Sequence, residues 1–455
     1  MKESIEFDIL ILGGYKMKTV IVGGVAAGMS VAAKLKRELP DEHVIVFEKT
    51  QEVSYGACGL PYYVSGENPD LNKMRIRTVE EFIKSGIDVR TLHEVVDVQA
   101  DKKCITVKSG DKTFVESYDR LVIATGASAI VPPLEGVDLP GVFTLKTLED
   151  GEAIKSYLPK VNKVVIVGGG YIGLEVVEAM KTQGKEVVLI ERLPRLLTTF
   201  DTSMSDEVLA TLKRHQVDVR LNESVQSIKK DKEGLVVTSD LEEYPTDMVI
   251  FAVGVRPNTK FVKDTGIHLL SNGAIITDVH MRTNLKDIYA AGDCSSVMHF
   301  LTNKPQFLPL GTNANKQGKT LAEIFAGNDR SYHTSLGSSM IKIIDREFAK
   351  TGLGEEEALE HGFDIKTVTI TGRDHAGYYP NPTAVTIKLV VNAVDHVILG
   401  AQLFGEKNVA LRLNPFVVAI TQKMTAEEFG TLDFGYAPPF ASTWDVMHIA
   451  ANAIK

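Results

Sequence analysis

Hydrophobic residues along this chain fall in short unbroken runs that end in glycine or in an acid, the pattern of buried parallel strands. The first run, residues 20–22, leads into the glycine turn Gly23–Gly28, and residues 44–47 end at Glu48. In a dinucleotide-binding unit, the N–H groups of such a turn hold a pyrophosphate and the acid binds ribose hydroxyls. Val25 stands where the middle glycine is usual, so this copy alone fits an ordinary strand–turn–helix unit equally well.

A second copy of the pattern lies nearer the middle of the chain. Residues 164–167 lead into Gly168–Gly173, whose glycines keep the complete spacing, and residues 187–190 end at Glu191. Two such units predict two bound dinucleotides and an α/β fold. Glu191 can hydrogen-bond a ribose 2′-hydroxyl but would repel a 2′-phosphate, which favours NADH over NADPH. The adjacent Arg192 weakens this preference because its charge could accommodate the phosphate.

Composition indicates a globular protein of several domains. The chain of 455 residues is too long for one ordinary core and suggests about three domains. Its formal net charge of -9 offers no basic field for nucleic acid. No apolar run reaches the roughly 20 residues that a membrane span needs, and no cleavable leader is recognisable. We therefore expect a cytoplasmic protein with neither membrane nor nucleic-acid partners.

One cysteine is the candidate for chemistry. Cys58 lies in the stretch Ser54–Tyr63, SYGACGLPYY, shortly after the first dinucleotide unit. Pro61 fits the first turn of a helix beginning just after the cysteine, and a helix N-terminus would lower the thiol pKa from about 8.5. The alternative for Cys58 is a buried, unreactive thiol. Cys104 and Cys294 are expected to be buried, and the wide spacing of the three cysteines indicates neither a disulfide framework nor a metal site.

Five sequence blocks resemble the pyridine nucleotide-disulfide oxidoreductase family, over nearly the whole chain from Met17. They are VGGVAAG (22–28), LVIATG (121–126), VGGGYIGLE (167–175), VIFAVGVRPNT (249–259) and IYAAGD (288–293). Within the family, three further segments resemble the single-cysteine coenzyme A-disulfide reductase and NADH oxidase branch: SYGACGLPYY, HAGYYP (375–380) and YAPP (436–439). A two-cysteine disulfide reductase has its second cysteine five residues after the first, where this chain has Tyr63.

The resemblance implies two Rossmann-like dinucleotide-binding domains and a C-terminal α+β dimerisation domain, with FAD and either NADH or NADPH as cofactors. The FAD-binding domain would be discontinuous, comprising residues 17–128 and 266–330, with the NAD(P)-binding domain at 129–265 and the dimerisation domain of a homodimer at 331–455. The residues expected to bind the two cofactors are Gly23, Val25, Ala26, Ala27, Gly28, Glu48, Lys49, Val95, Thr125, Gly126, Asp293, Gly168, Gly170, Tyr171, Ile172, Gly173, Glu191 and Gly254.

Residues 1–16 form an N-terminal extension to the family pattern. Gly13-Gly14 is what a purine-rich ribosome-binding site would encode in frame, so one interpretation is that translation begins at Met17. The other is a short extra strand or a loose tail.

The resemblance also assigns catalytic roles to Cys58, Tyr379 and Tyr436. Electrons would pass from the nicotinamide through FAD to a disulfide between Cys58 and coenzyme A, and the freed thiolate would attack coenzyme A disulfide. The tyrosines would reach the substrate from the other subunit, where a phenol could protonate the leaving thiolate; packing at a dimer interface is their alternative role. Further residues expected to bind the substrate, unless the four cations only form a solvated face, are Ser54, Lys34, Arg37, Arg75 and Arg77.

The choice of substrate stays open in the sequence. Ala26 occupies the position at which peroxidase and oxidase relatives have a histidine, which argues against peroxide reduction. Ala57 replaces an asparagine of some coenzyme A-disulfide reductases, and Thr443–Asp445 stands where some members carry a lysine, which weakens that assignment. The alternatives are an NADH oxidase, a polysulfide or persulfide reductase, and a redox sensor without steady turnover.

Overall fold

A computed structural model describes residues 17–232 and 234–455 of the chain, so the predicted extension 1–16 lies outside the described residues. Up to residue 129 the elements are β1 (Lys18–Val22), α1 (Ala26–Glu38), β2 (His43–Phe47), α2 (Leu60–Ser65), α3 (Val79–Lys84), β3 (Asp88–Arg90), β4 (Glu94–Gln99), β5 (Cys104–Ser109), β6 (Lys112–Ser117), β7 (Arg120–Ile123) and β8 (Ala127–Ala129).

The second series of elements extends from residue 142 to residue 257. It comprises β9 (Val142–Thr144), α4 (Leu148–Tyr157), β10 (Lys163–Val167), α5 (Tyr171–Thr182), β11 (Glu186–Glu191), α6 (Thr202–Arg214), β12 (Asp218–Leu221), β13 (Val225–Asp231), β14 (Gly234–Ser239), β15 (Glu243–Thr246), β16 (Met248–Phe251) and β17 (Val255–Pro257).

The last series begins at residue 288. It comprises β18 (Ile288–Ala290), β19 (Val297–Met298), β20 (Pro305–Gln306), α7 (Gly311–Phe325), β21 (Ser339–Ile343), β22 (Arg346–Gly352), α8 (Glu355–Glu360), β23 (Ile365–Arg373), β24 (Ala384–Asn392), β25 (Ile398–Gly405), α9 (Leu413–Thr421), α10 (Ala426–Phe429) and α11 (Val446–Asn452).

Two parallel five-stranded sheets carry the two glycine turns. The first has the order β18-β7-β1-β2-β3, so a strand from late in the chain completes the sheet that begins at β1. The second has the order β12-β11-β10-β16-β9. The central strands, such as β1, β10 and β11, are nearly continuous runs of Val, Ile and Leu because both faces of each sheet are covered. The predicted α/β fold with two Rossmann-like sheets is confirmed.

A short antiparallel pair, β8 with β17, joins the two sheet systems. The predicted boundary between residues 128 and 129 falls inside β8, and the domain limits stay predictions. Among residues 17–232 and 234–455, no helix has the length and apolar character needed to cross a bilayer. The same described residues contain no cluster of three or more potential metal ligands.

The C-terminal part is an antiparallel sheet in the order β21-β22-β25-β24-β23. Strand β24 alternates in sequence, and we expect a half-buried strand from that pattern. Its apolar side chains, such as Ile387 and Leu389, do pack into the core with α9 and α11. The polar ones, Thr386 and Lys388, are buried as well, because Lys388 Nζ lies 2.8 Å from Asp201 of the second sheet system.

Candidate active site

The first glycine turn can be built only with glycine at its ends. Gly23 has φ +107°, and a Cβ on it would lie 2.2 Å from the carbonyl oxygen of Ala124. A Cβ on Gly28 would lie 1.9 Å from the Gly23 oxygen, so helix α1 can approach the turn this closely only without a side chain there. Gly24 N–H donates to the Glu48 carboxylate at 2.7 Å, which holds the acid beside the turn.

The second turn repeats this geometry. A Cβ on Gly173 would again lie 1.9 Å from a turn oxygen, that of Gly168, whose φ is +110°. Gly169 N–H donates to the Glu191 carboxylate at 2.6 Å. A Cβ on Gly170 would have no protein atom within 4 Å, so this glycine leaves open space in front of the turn. An open cradle at the start of α5 with an acid beside it fits a pyrophosphate and an adjoining ribose.

The other predicted cofactor residues surround these turns. Thr125 donates its hydroxyl to the Asn258 carbonyl at 2.7 Å, and Gly126 has φ +65° after strand β7. Tyr171 directs its hydroxyl to Ser339, at 2.5 Å between the two oxygens. Four more occupy the first turn and α1 or α5, namely Val25, Ala26, Ala27 and Ile172. The remaining four are Lys49, which is exposed, Val95, which is buried, Gly254, which has φ +109°, and Asp293, which forms an ion pair with Lys146.

Cys58 is exposed and lies in a single turn, Ala57–Gly59, directly before α2. Pro61 is in the first turn of α2, as predicted. The backbone fixes the approach to the cysteine at two places. Ser54 N–H donates to the carbonyl of Gly24 at 2.9 Å, which joins the cysteine segment to the first glycine turn. Gly56 N–H donates to a carbonyl of the neighbouring segment, that of Met74, at 2.9 Å.

Helix α2 is held between α4 and α5 of the second sheet system. Gly151 of α4 permits the contact, because a Cβ there would lie 2.7 Å from the side chain of Leu60. The ammonium of Lys155 donates to the backbone carbonyl of Tyr63 at 2.8 Å and also lies over the aromatic ring of Tyr63. Gln183 donates to the carbonyl of Ser65. The cysteine helix belongs to the first part of the chain and is fixed by the second.

Charged groups from three segments of the chain act on Cys58. Lys146 and Asp293 form an ion pair of 3.2 Å, and Glu175 of α5 is the third group. Although the side chain of Cys58 reaches solvent, the protein atoms around its sulfur partly desolvate it. This desolvation and, next, the charge of Glu175 raise the pKa of Cys58, whereas Lys146 opposes this. The expectation that a helix N-terminus lowers the thiol pKa is therefore wrong. Desolvation and the acidic neighbour both favour the neutral thiol over the thiolate.

Neither of the other two cysteines can act with Cys58 as a thiol pair. Cys104 and Cys294 are buried, as predicted, and all three cysteines are free. Cys294 lies beneath the first sheet, with its sulfur 3.3 Å from the carbonyl oxygen of Ile123. Cys58 is thus the exposed cysteine of the chain, in agreement with chemistry at a single sulfur.

Two tyrosines of the C-terminal part meet at their hydroxyls. They are Tyr378 and Tyr436, both exposed, and the hydrogen bond to Tyr378 raises the pKa of Tyr436. Tyr379, which the sequence assigns to catalysis, instead packs edge-on against His375, with ring centroids 5.5 Å apart. The two adjacent tyrosines point in different directions, and sequence alone does not tell which of them meets Tyr436.

Arg412 joins the loops that carry the tyrosine pair, and it was not among the residues predicted from the sequence. Its guanidinium donates to the carboxylate of Asp445 at 2.9 Å, to the carbonyl of Phe440 at 3.2 Å and to the carbonyl of Asp374. Asp445 also caps α11 by accepting from Met447 N–H. The contacts of Arg412 join segments that are distant in sequence, so no local motif could have revealed its role in holding these loops together.

The predicted substrate cations differ in how they are engaged. Lys34 forms ion pairs with two carboxylates, at 2.6 and 3.3 Å. Arg75 binds both oxygens of Glu52. Arg77 stacks over a phenylalanine ring with its guanidinium carbon 4.1 Å from the centroid. Arg37 is exposed on α1.

Comparison with known proteins agrees with this geometry. Residues 17–318 match the pyridine nucleotide-disulphide oxidoreductase family, and residues 338–448 match the dimerisation domain of the same family. The chain therefore belongs to the pyridine nucleotide-disulphide oxidoreductase family. Its relatives include coenzyme A disulfide reductases, NADH oxidases and CoA-dependent sulfur oxidoreductases. FAD and NAD(P)H are the cofactors of the family, and the two glycine turns and their acids are suited to hold them.

Individual relatives cover almost the whole chain. An NAD(P)H sulfur oxidoreductase (CoA-dependent) of Pyrococcus abyssi is 40% identical over 97% of this chain and 98% of its own length. An NADH oxidase of Methanocaldococcus jannaschii is 34% identical over 96% and 99%. Among solved structures, reduced Bacillus anthracis CoADR-RHD superposes with a TM-score of 0.93 and is 35% identical, covering 97% of this chain and 80% of that one.

Proposed function

We propose that this enzyme uses NAD(P)H to reduce coenzyme A disulfide through the single sulfur of Cys58. The observation that carries the proposal is that Cys58 is exposed beside the first glycine turn while the other two cysteines are buried. A lone redox cysteine that takes part in disulfide exchange obtains the second sulfur from its substrate. A thiol compound that can remain attached to the enzyme, such as coenzyme A, supplies it, and relatives named for coenzyme A support this choice.

We propose two steps at the sulfur–sulfur bond, an attack by Cys58 and then a reduction. The thiolate of Cys58 attacks one sulfur of the disulfide, forms a bond to it and displaces the other half as a thiolate. When bound, the nicotinamide and flavin would supply the two electrons that break the bond between Cys58 and the remaining coenzyme A, so that Cys58 returns as a thiolate and the second half leaves as a thiol. Because Lys146 is the neighbouring cation, it favours the thiolate against the effect of Glu175.

A phenol of the tyrosine pair donates the proton to the displaced thiolate. A tyrosine phenol is protonated at neutral pH, as a general acid must be, and the hydrogen bond with Tyr378 raises the pKa of Tyr436 further. We propose Tyr378, rather than Tyr379, as the second member because it makes this bond. The pair is exposed on the dimerisation domain, and we propose that it faces Cys58 of the partner subunit in a homodimer.

Two sets of variants test the roles of these residues. Cys58→Ser should still bind both cofactors and accept hydride but form almost no thiol, because only the sulfur step is lost. Tyr378→Phe and Tyr436→Phe should each slow thiol release by about 10²-fold, and Tyr379→Phe is the matched control, with little change. Stopped-flow measurement separates flavin reduction from coenzyme A release. Undiminished thiol release by Cys58→Ser would refute the mechanism.

A persulfide or polysulfide is the second candidate substrate. Relatives at 40% and 38% identity are named as a CoA-dependent sulfur oxidoreductase and a coenzyme A polysulfide/persulfide reductase. Anaerobic assays with coenzyme A disulfide and with polysulfide, and an assay with oxygen alone, distinguish the candidates. A redox sensor would turn over none of them. Intact mass before and after reduction shows whether coenzyme A is attached to Cys58.

A further inference from the structure

A buried aspartate and a buried histidine stand at the base of the loop that carries Tyr378. Asp374 and His375 directly follow strand β23, and they are 0% and 3% exposed. Asp374 and Thr383 are joined by two hydrogen bonds. Asp374 N–H donates to the Thr383 carbonyl at 2.9 Å, and Thr383 N–H donates to the Asp374 carboxylate at 2.7 Å. Residues 374–383 therefore form a loop that is closed at its base.

Both ring nitrogens of His375 face oxygen atoms that accept protons. Nε2 lies 3.2 Å from the carbonyl oxygen of Pro380, beyond the two tyrosines of the loop. The buried Nδ1 lies 2.9 Å from Oδ1 of Asp374, an ion-pair contact without the angles of a regular hydrogen bond. A carbonyl oxygen can only accept, so Nε2 carries a proton. A bare lone pair on Nδ1 would be repelled by the carboxylate at this distance, whereas a second ring proton makes the contact attractive.

The carboxyl group of Asp374 is the negative partner in this contact. Its two oxygens accept hydrogen bonds, one from Thr383 N–H at 2.7 Å and the other from the side-chain amide of Asn408 at 2.8 Å. Burial acts to raise the pKa of Asp374, but these hydrogen bonds and His375 outweigh it, so the pKa is lowered. The proton between the two residues therefore belongs to the histidine ring.

The other charged groups around His375 are paired or exposed. Arg412 donates to the backbone carbonyl of the aspartate, and Asp445 balances its charge at 2.9 Å. Arg373 is exposed to solvent. Tyr379 places its ring edge-on against the imidazole, with centroids 5.5 Å apart. A charged His375 thus leaves its buried aspartate neighbour neutralised.

Tyr378 depends on this loop for its position. Its side chain is 75% exposed, so few neighbouring side chains hold it, and its hydroxyl bonds to that of Tyr436. The backbone joins the two tyrosine loops close by, because Ala376 N–H donates to the Pro438 carbonyl at 3.3 Å. Ala376 is adjacent to His375, so the histidine and this bond fix the same part of the loop.

We propose that His375 is a positioning residue for the tyrosine pair. As an imidazolium between the carboxylate of Asp374 and the carbonyl of Pro380, it holds the loop in the shape that brings Tyr378 to Tyr436. His375 itself takes no part in the proton transfer. The consequence for the reaction rests on the proposed role of the tyrosine pair as proton donor, whereas the charge and the effect on the loop do not.

A double-mutant cycle on thiol release tests whether His375 acts through Tyr378. His375→Gln removes the ring and its charge, and it should slow thiol release about tenfold without slowing flavin reduction, because the phenol is misplaced. In a Tyr378→Phe background the same change should cost less than about twofold. His396→Gln is the matched control, since His396 pairs with Glu427 at 2.6 Å outside the tyrosine loops, and both rates should stay unchanged. Equal losses in the two backgrounds would overturn the proposal.

Nitrogen-15 NMR of histidine-labelled wild-type protein measures the charge directly. At pH 7.5 both ring nitrogens of His375 should show the shifts of an imidazolium, and a neutral ring would count against the proposal. The signal is assigned by its loss in His375→Gln or, if that variant does not fold, in His375→Asn.

The pKa of Tyr436 reports on the tyrosine pair without any substrate. It is raised by the hydrogen bond to Tyr378, so carbon-13 NMR of labelled tyrosine should show it lowered in Tyr378→Phe and also in His375→Gln. An unchanged pKa in His375→Gln would contradict the positioning role. If Tyr378→Phe releases thiol at the wild-type rate, the proposed proton donor fails instead, and the two NMR measurements still decide the role of His375.

Discussion

Gly28→Ala and Gly173→Ala should have opposite effects on the two cofactors. In each turn the new Cβ would lie 1.9 Å from a backbone oxygen, and ordinary contact begins at 3.4 Å, so helix and turn must separate by about 3.4 − 1.9 = 1.5 Å. Overpacking of this kind costs about 1–3 kcal/mol, or about five- to hundredfold in binding if the displaced turn is the cofactor site. Gly28→Ala should then lose FAD while Gly173→Ala keeps FAD and loses affinity for NAD(P)H.

Flavin content by absorbance and nucleotide affinity by titration measure the two losses separately. Gly170→Ala is the control for steric strain, because its Cβ meets no protein atom within 4 Å. That variant should keep its melting temperature yet bind NAD(P)H more weakly, since the methyl group enters the open space of the cradle. Full flavin retention by Gly28→Ala together with weakened NAD(P)H binding would refute the assignment of the turns. Equal loss of both cofactors in both variants would show only general unfolding.

Two further outcomes concern the acids of the sites. Asp293→Ala should lower flavin occupancy by about tenfold or more by removing a predicted ligand and freeing Lys146; full occupancy, measured by absorbance, would contradict that assignment. The value of kcat/KM should be about tenfold higher with NADH than with NADPH, because the Glu191 carboxylate is held at the second turn. Glu191→Ala should reduce this difference between the two nucleotides. A strong preference of the wild-type enzyme for NADPH would overturn the argument.

The fold was predicted from local sequence motifs. Each glycine turn requires glycine for reasons confined to a few residues, as the close approach of Gly28 to Gly23 and of Gly173 to Gly168 shows. The sequence therefore predicted both dinucleotide-binding sheets, whereas the order of their strands comes from the structure. The burial of both faces of β24 was not predicted. The polar face is buried because Lys388 forms an ion pair with Asp201, which lies in another sheet system. An ion pair between two domains produces no periodic pattern in the sequence of either segment.

The site was less predictable for the same reason. Cys58 was selected by its flanking residues, but the predicted lowering of its pKa was wrong. Desolvation of the sulfur and, next, the charge of Glu175, which lies on a helix of the second unit, raise this pKa instead. That helix was recognised only for its glycine turn. The choice of Tyr378 over Tyr379 likewise depends on a hydrogen bond to Tyr436 that no spacing encodes. Motifs identified which segments take part, whereas the protonation and orientation of the reacting groups depend on contacts made when those segments pack together.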